Sequence, residues 1–284
     1  MNKKIIKYIV IAVGVLLGVY FSYLQINTKD NLARIIFFDI GQGDAILIIT
    51  PEKEKILIDG GPGNVLITKI GKYLPFYNPY IDLMILTHAH DDHVSGLNEV
   101  LRRYKVGMIL YPGNIQYYAP SYLNLLNIID ENELNLTTTK AGDIYNFSSS
   151  RLEILYPFVV YSGEEVDDVN DTSVVARYCY IEICVLLTGD APVVVEEEII
   201  ASGQNIKAKV LKMAHHGSQY SNSEEWLLAV NPETAIIQSG EGNSFNHPHL
   251  RILKRLKRLG INILRNDILG EIIVKTDGLN YWIN

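Results

Sequence analysis

The stretch LTHAHDDHVSG, residues 86–96, sets three histidines and two aspartates into the six positions from His88 to His93. A solvated loop has no use for so much imidazole. Neutral imidazole and carboxylate together form the donor set of a borderline divalent cation such as zinc, with manganese or iron also compatible. His88 and His90 are two apart, so in an extended segment they point the same way and can take one ion. Asp92 and His93 follow on the turn that opens a helix and can reach a second. Capping of a helix that starts near Val94 would account for Asp92 and for no histidine. The other four histidines, His215, His216, His247 and His249, also fall just after predicted strands or at the mouth of a helix.

Such placement requires strands that end at the right points. ARIIFFDI, DAILIIT and KILIDGG read as three early strands, the second and third joined by the turn-like PEKE. IDLMILTH is apolar almost throughout, the mark of a strand buried on both faces, and it runs into the histidine loop. Further on, SVVARYCYIEICVLLTGD reads as a hairpin, VVVEEEIIASG as a helix, IKAKVLKM as a strand and SEEWLLAV as a short helix. TAIIQS is a predicted strand, HLRILKRLKRLG a helix and GEIIVKTDGLNYWI a closing strand pair. The pattern is that of one α/β domain with polar motifs where strands end. Cys179 and Cys184, five apart in strand sequence, are expected to point to opposite faces as core filler and not to pair.

With 284 residues, 48% of them hydrophobic, the chain can fill a sizeable core. Its net charge of −7 argues against a basic surface all round, so a polyanionic substrate must be gripped locally. One basic face offers itself: Arg251, Lys254, Arg255 and Arg258 fall at i, i+3, i+4 and i+7 of a helix, where a solvated face is the plainer explanation. The amino terminus stands apart. Residues 8–26 are a charge-free apolar run of 19, long enough at about 1.5 Å per residue to cross a hydrocarbon core of about 30 Å. Lysines precede it, which predicts a short cytoplasmic end over 1–7, an anchor over 8–26, a linker over 27–32 and a domain over 33–284 outside the membrane. A cleaved signal peptide is the rival, but no A-x-A-like site follows the run.

His-x-His-x-Asp-His after a buried strand, with Asp59 in LIDGG upstream and Asp190 in LLTGD downstream, resembles the metallo-β-lactamase fold. FFDIGQGDAILI, LTGD, AHHGS and HPH, in that order, are similar more closely to the hydrolase domain of ComEC-type competence proteins. The resemblance implies an α/β fold, a four-layer αββα sandwich, and two divalent metal ions, zinc or manganese. His88 and His90 would hold the first ion and Asp92 and His93 the second, with Asp190 bridging and Asp59 buttressing the histidine loop. MAHHGS would complete the set, His215 by chain order, leaving His216 to touch substrate or support a ligand, with the reverse order open. No histidine lies between His93 and His215. VDDVNDTS, with Asp167, Asp168, Asn170 and Asp171, offers the candidates there, and Asn170 to Ser173 resembles the Asn-x-x-Ser of ComEC-type domains, so an oxygen ligand, water or substrate is expected.

Two cations about 3.5–4 Å apart that share an oxygen lower the pKa of a bridging water, supply hydroxide in line with a bound ester and neutralise the leaving oxygen. Phosphate esters profit most. Asp92, His216 and His247 are the candidate catalytic residues, His247 contacting phosphate or protonating the leaving group. Ser218, Ser221 and Asn170 are candidates for binding substrate, the serines competing with a capping role for the helix near Glu224. The resemblance implies a membrane-anchored phosphodiesterase or nuclease whose substrate is DNA. Lacking the many spans of a complete ComEC protein, it would act alone or with a separate DNA-uptake channel protein. Two alternatives stand beside it: a phosphoesterase on a small or cell-surface phosphoester such as phosphocholine, and a non-catalytic binding or sensing module, whose mark would be an eroded site.

Overall fold

The computed structural model describes residues 3–27, 31–74 and 77–284, the side chains of 3 and 21–27 excepted. The chain divides into two compact units, Met1–Asn31 and Leu32–Asn284. The first holds α1 (Lys3–Asn27), helical along the apolar run. Among the described residues no helix is long and apolar enough to cross a membrane. The side chains of 21–26, the last part of the expected anchor, lie outside the described residues, so the span rests on the sequence.

In the second unit the early strand sequences form β1 (Ala33–Phe37), β2 (Ile46–Ile49) and β3 (Lys55–Ile58), followed by α2 (Val65–Ile70), β4 (Tyr80–Ile85) and α3 (Asp91–Arg103). Next come β5 (Lys105–Tyr111), β6 (Gly113–Ile115), α4 (Pro120–Glu131), β7 (Leu136–Thr138), β8 (Ile144–Phe147), β9 (Ser150–Tyr156) and β10 (Tyr161–Glu164). The hairpin is β11 (Val175–Tyr180) and β12 (Ile183–Leu187), after which α5 (Val193–Ala201), β13 (Val210–Lys212), α6 (Glu224–Val230), β14 (Thr234–Ile237) and α7 (Leu250–Arg258) alternate. β15 (Asn262–Arg265), α8 (Asn266–Leu269), β16 (Ile272–Thr276) and β17 (Tyr281–Ile283) close the chain.

Eight strands form one sheet, in the order β17-β16-β1-β2-β3-β4-β5-β7, and seven form another, β15-β14-β13-β12-β11-β9-β8. Between the sheets, Phe37, Ile48, Ile56 and Leu83 share a core with Ile154, Tyr178, Val185 and Ile236. Helices α2 to α4 cover the other face of the first sheet, Leu66, Val94, Leu97 and Leu125 packing on Leu47, Leu57 and Met84. Helices α5 to α7 do the same for the second through Val195, Trp226, Ile252 and Leu256. This is the αββα sandwich expected, and it explains why the central strands are apolar on both faces: each face is covered. β3 and β4 run parallel, as do β12, β13 and β14. Their carboxyl ends therefore reach one edge and bring Asp59, the HAHDDH loop, Asp190 and the HHG turn together.

The cysteines correct an expectation. Cys179 and Cys184 are directly opposed across the β11–β12 hairpin and form a disulfide, with Cα atoms 4.1 Å apart. Their spacing implies opposite faces only in one unbroken strand. The turn at Ile181 and Glu182 returns the chain on itself and sets the two side chains on the same face. Replacing both by serine is expected to cost only about 2 kcal/mol, because the closed loop is short. Urea unfolding with and without reductant measures this, and a loss twice as large would mean that the bridge also shapes the native hairpin.

Candidate metal centre

α3 brings His93 into place by pressing its backbone onto the loop after β3. A Cβ on Gly96 would sit 1.9 Å from Gly60 O, so glycine is what allows helix and loop to touch. Gly60 N–H donates to His93 O at 2.7 Å and Gly96 N–H to Gly61 O at 2.9 Å. The contact sets Asp59 beside the histidines: it accepts from His93 Nδ1–H at 2.7 Å, from Thr87 Oγ1 at 2.7 Å and from Thr87 N–H at 2.8 Å. The Thr87 hydroxyl, its proton given to Asp59, accepts from His88 Nδ1–H at 3.0 Å. One buried carboxylate thus orients two imidazoles and turns Nε2 of each away from it, toward the cluster. The helix begins at Asp91, earlier than expected, with His90 at the capping position and no side-chain cap. Asp92 lies inside the first turn, where the helix dipole favours a carboxylate, and is free to face the cluster.

The second arm is the AHHG turn, Ala214–Gly217. His215 at φ 50, His216 at φ 54 and Gly217 at φ 81 are left-handed in succession, which costs a non-glycine residue about 1 kcal/mol or more. Asn222 holds the turn: its Oδ1 accepts from Ala214 N–H at 2.9 Å and its Nδ2 donates to Ala214 O at 2.9 Å. Behind it the buried Glu196 accepts from the backbone N–H groups of Asn222 and Ser223. The turn aims His216 inward, 1% exposed, with Nδ1–H donating to Gln238 O at 2.9 Å. Asn222→Ala is expected to leave the Ala214 amide groups unpaired and to cost about 2 kcal/mol. Unchanged stability on denaturation would show that the turn holds itself.

Asp190, just after β12, is the meeting point. Its Oδ2 lies 3.4 Å from His93 Nε2, 3.3 Å from His216 Nε2 and 3.9 Å from His215 Nε2, while Ser173 Oγ accepts its backbone N–H at 3.2 Å. Asp92 Oδ2 is 3.3 Å from His216 Nε2, and His90 Nδ1 is 3.2 Å from His88 Nε2. Donor atoms of His88, His93 and Asp190 lie within 4.8 Å of one another, as do those of Asp92, His93 and His216. Burial opposes every charge here, yet Asp190 and its neighbours hold His93 and His216 well above the ordinary imidazole range. Asp190 and Asp92 are held low against their burial by His93 and His216. His88 is pushed well below its usual value by burial and then by His93, which leaves it a neutral donor. His93 Nε2 and His216 Nε2 are buried without a hydrogen-bond partner although their Nδ1 atoms are satisfied. Two converging imidazole nitrogens beside carboxylates fit a divalent cation, which would take the place of their Nε2 protons. Asp92, its side chain 33% exposed, and His215, 28%, form the open side.

The structure gathers His88, His90, Asp92, His93, Asp190 and Asp59 in one place, and adds His216 to the donors where chain order pointed to His215. The left-handed turn, invisible in residue spacing, buries His216 and leaves His215 partly exposed, its Nε2 3.9 Å from Asp190 Oδ2. His247 packs at the mouth, its ring centre 5.6 Å from that of His215 and 6.3 Å from that of His216. Burial and then these neighbours push its imidazole down to about 4. It is neutral near pH 7. Ser218 and Ser221 are each 1% exposed, Ser218 Oγ accepting from Tyr220 N–H at 3.3 Å, and Ser223 is the serine that caps α6, accepting from Trp226 N–H at 3.1 Å. Asn170 is buried with its amide oxygen unpartnered, but among the described residues no hydrogen bond joins it to His88 or His90. Asp167 and Asp168 are exposed. Two buried residues escaped the sequence reading, Asp44 and Lys212. Their signal was there: a carboxylate at the head of an apolar strand, and a lysine two residues after the inward Val210, hence on the same face.

Residues 38–241 match the metallo-beta-lactamase superfamily. The chain is 28% identical to ComE operon protein 3 of Bacillus subtilis (strain 168), a ComEC-type competence protein, over 95% of this chain and 36% of that protein, so it spans about a third of that relative. It is 23% identical to exodeoxyribonuclease WalJ of Streptococcus pneumoniae over 74% of this chain and 83% of that one. The crystal structure of the metallo-beta-lactamase fold protein YhfI from Bacillus subtilis covers 89% of this chain and 100% of its own, with a TM-score of 0.54 at 11% identity, a likeness of fold. On the match over residues 38–241, and on the αββα sandwich that carries the donor cluster at one edge, the chain belongs to the metallo-beta-lactamase superfamily.

Proposed function

We propose that this chain is a metal-dependent phosphodiesterase that acts on DNA outside the cytoplasmic membrane, anchored by residues 8–26. The observation that carries the proposal is the convergence of His93 Nε2 and His216 Nε2 on Asp190 Oδ2, at 3.4 and 3.3 Å, with Asp92 Oδ2 also 3.3 Å from His216 Nε2 and neither nitrogen hydrogen-bonded among the described residues. His88, His90 and Asp190 would hold one ion, and Asp92, His93, His216 and Asp190 the other. When bound, such a pair lowers the pKa of a water between the ions and neutralises charge that grows on the leaving oxygen. The chain's own residues set the stage. Asp59 orients His93 directly and His88 through Thr87, Gln238 O orients His216, and His247, packed against His215 and His216, would contact the phosphodiester.

DNA is favoured over a small ester by α7, which follows directly on His247–His249. Arg258 pairs with Glu224, and Arg255 donates to Asn222 O. Arg251 and Lys254 are exposed with no ion pair among the described residues, in a groove of about 450 Å³. On a chain of net charge −7, a local basic groove on the helix that follows His249 supports a polyanionic substrate. The exodeoxyribonuclease and the competence protein among its relatives support the same reading. Purified protein with manganese or zinc, offered DNA, RNA, a phosphocholine ester and a chromogenic phosphodiester, is expected to show its highest kcat/KM on DNA. Faster turnover of the phosphocholine ester would move the substrate to the cell surface, and no turnover with metal bound would leave a binding module.

The lysines ahead of Tyr8 support an outward-facing domain, and so does the Cys179–Cys184 disulfide, a bond that persists in oxidising compartments. At that face the domain works alone or beside a separate DNA-uptake channel protein. External protease is expected to digest it on intact cells, and protection until lysis would contradict the topology.

A further inference from the structure

The shared carboxylate has a neighbour besides the imidazoles. Lys212, the last residue of β13, is 0% exposed, and an ammonium taken out of water costs several kcal/mol unless it is paired. It forms an ion pair with Asp44, donates to Gly189 O at 3.0 Å and lies 3.8 Å from Asp190 Oδ1. The other oxygen of Asp190, Oδ2, is the one that stands 3.4 Å from His93 Nε2 and 3.3 Å from His216 Nε2. The two oxygens therefore face different charges, Oδ1 the ammonium and Oδ2 the imidazoles. Asp44 is held in turn: its N–H donates to Asp92 O at 3.2 Å, and its Oδ1 lies 3.4 Å from His216 Nδ1.

We infer that Lys212 is a positioning residue. Fixed by Asp44 and Gly189 O, it draws Asp190 Oδ1 to itself and presents Oδ2 alone to the donor cluster, so that a single oxygen of Asp190 is the one both ions share. This rests on the two-cation proposal above. The competing role, in which Lys212 only neutralises Asp44, makes the opposite forecast in a double-mutant cycle.

Manganese and zinc affinities by titration calorimetry on the full chain, with turnover of a chromogenic phosphodiester, are compared for the wild type, Lys212→Met, Asp44→Asn and the double variant. Lys212→Met is expected to weaken the binding of an ion and lower turnover about 10–100-fold. Added to Asp44→Asn, it should cause a further loss of affinity of at least about tenfold, within the same range. If Lys212→Met is harmless once Asp44 is asparagine, the lysine serves Asp44 alone and the inference is overturned. Should Lys212→Met not fold by itself, Asp44→Asn and the double variant, in which both charges are gone, still decide the point. A wild type that takes up neither metal would overturn the two-cation proposal as well, whereas two bound ions with a harmless second substitution would overturn only the role of Lys212.

Discussion

Replacing Asp190 by asparagine is expected to lower turnover at least about a hundredfold, roughly 2.7 kcal/mol of transition-state free energy, in a protein that still folds. The substitution keeps the shape of the side chain and its backbone bond to Ser173 Oγ. It removes the charge of the one oxygen that stands 3.4, 3.3 and 3.9 Å from His93, His216 and His215. It also takes from Lys212 one of its two carboxylate neighbours. A thermal melt together with phosphodiester turnover at saturating metal checks both halves. Near-normal turnover would mean that no cation depends on this carboxylate.

His216→Ala is expected to do more: it should release the tightly held ion and at least about a thousandfold of turnover with it, about 4 kcal/mol. In the proposed assignment Asp92, His93, His216 and Asp190 would give one ion four protein ligands, while His88, His90 and Asp190 would give the other three. The unequal sets imply one ion that survives dialysis and one that must be supplied. The more open site selects weakly among metals, so manganese becomes as acceptable there as zinc. His215→Ala should keep the tight ion and lose less activity, because His215 Nε2 is 3.9 Å from Asp190 and its side chain is 28% exposed. Loss of metal in the His215 variant alone would restore the order that chain position suggests, and two equally retained ions would refute the asymmetry.

What could be read in advance was whatever depends on short-range pattern. The nearly continuous apolar run before HAHDDH announced a strand covered on both faces, and LIDGG and LLTGD marked the ends of two others at the same edge. The order within His215 and His216 was not readable. It depends on the sign of φ at three residues and on a side chain from Asn222, eight residues away from Ala214. The disulfide escaped because two residues of turn decide whether cysteines five apart diverge or meet. Asp44 lies just before β2 and Lys212 ends β13, strands of different sheets, so the two meet only when those sheets stack. Between α3 and the hairpin, strands such as β10 are short and mostly exposed, so neither hydrophobic period was available to name them.

The central claim is that two cations held by this one cluster carry out hydrolysis. Manganese added stepwise to chelator-treated, dialysed protein, with bound equivalents and cleavage of a DNA strand followed in the same samples, tests it most directly. Expected is no cleavage in the metal-free protein, little after the first equivalent and a steep rise as the second binds. Full cleavage at one equivalent, or cleavage undiminished without metal, would contradict it.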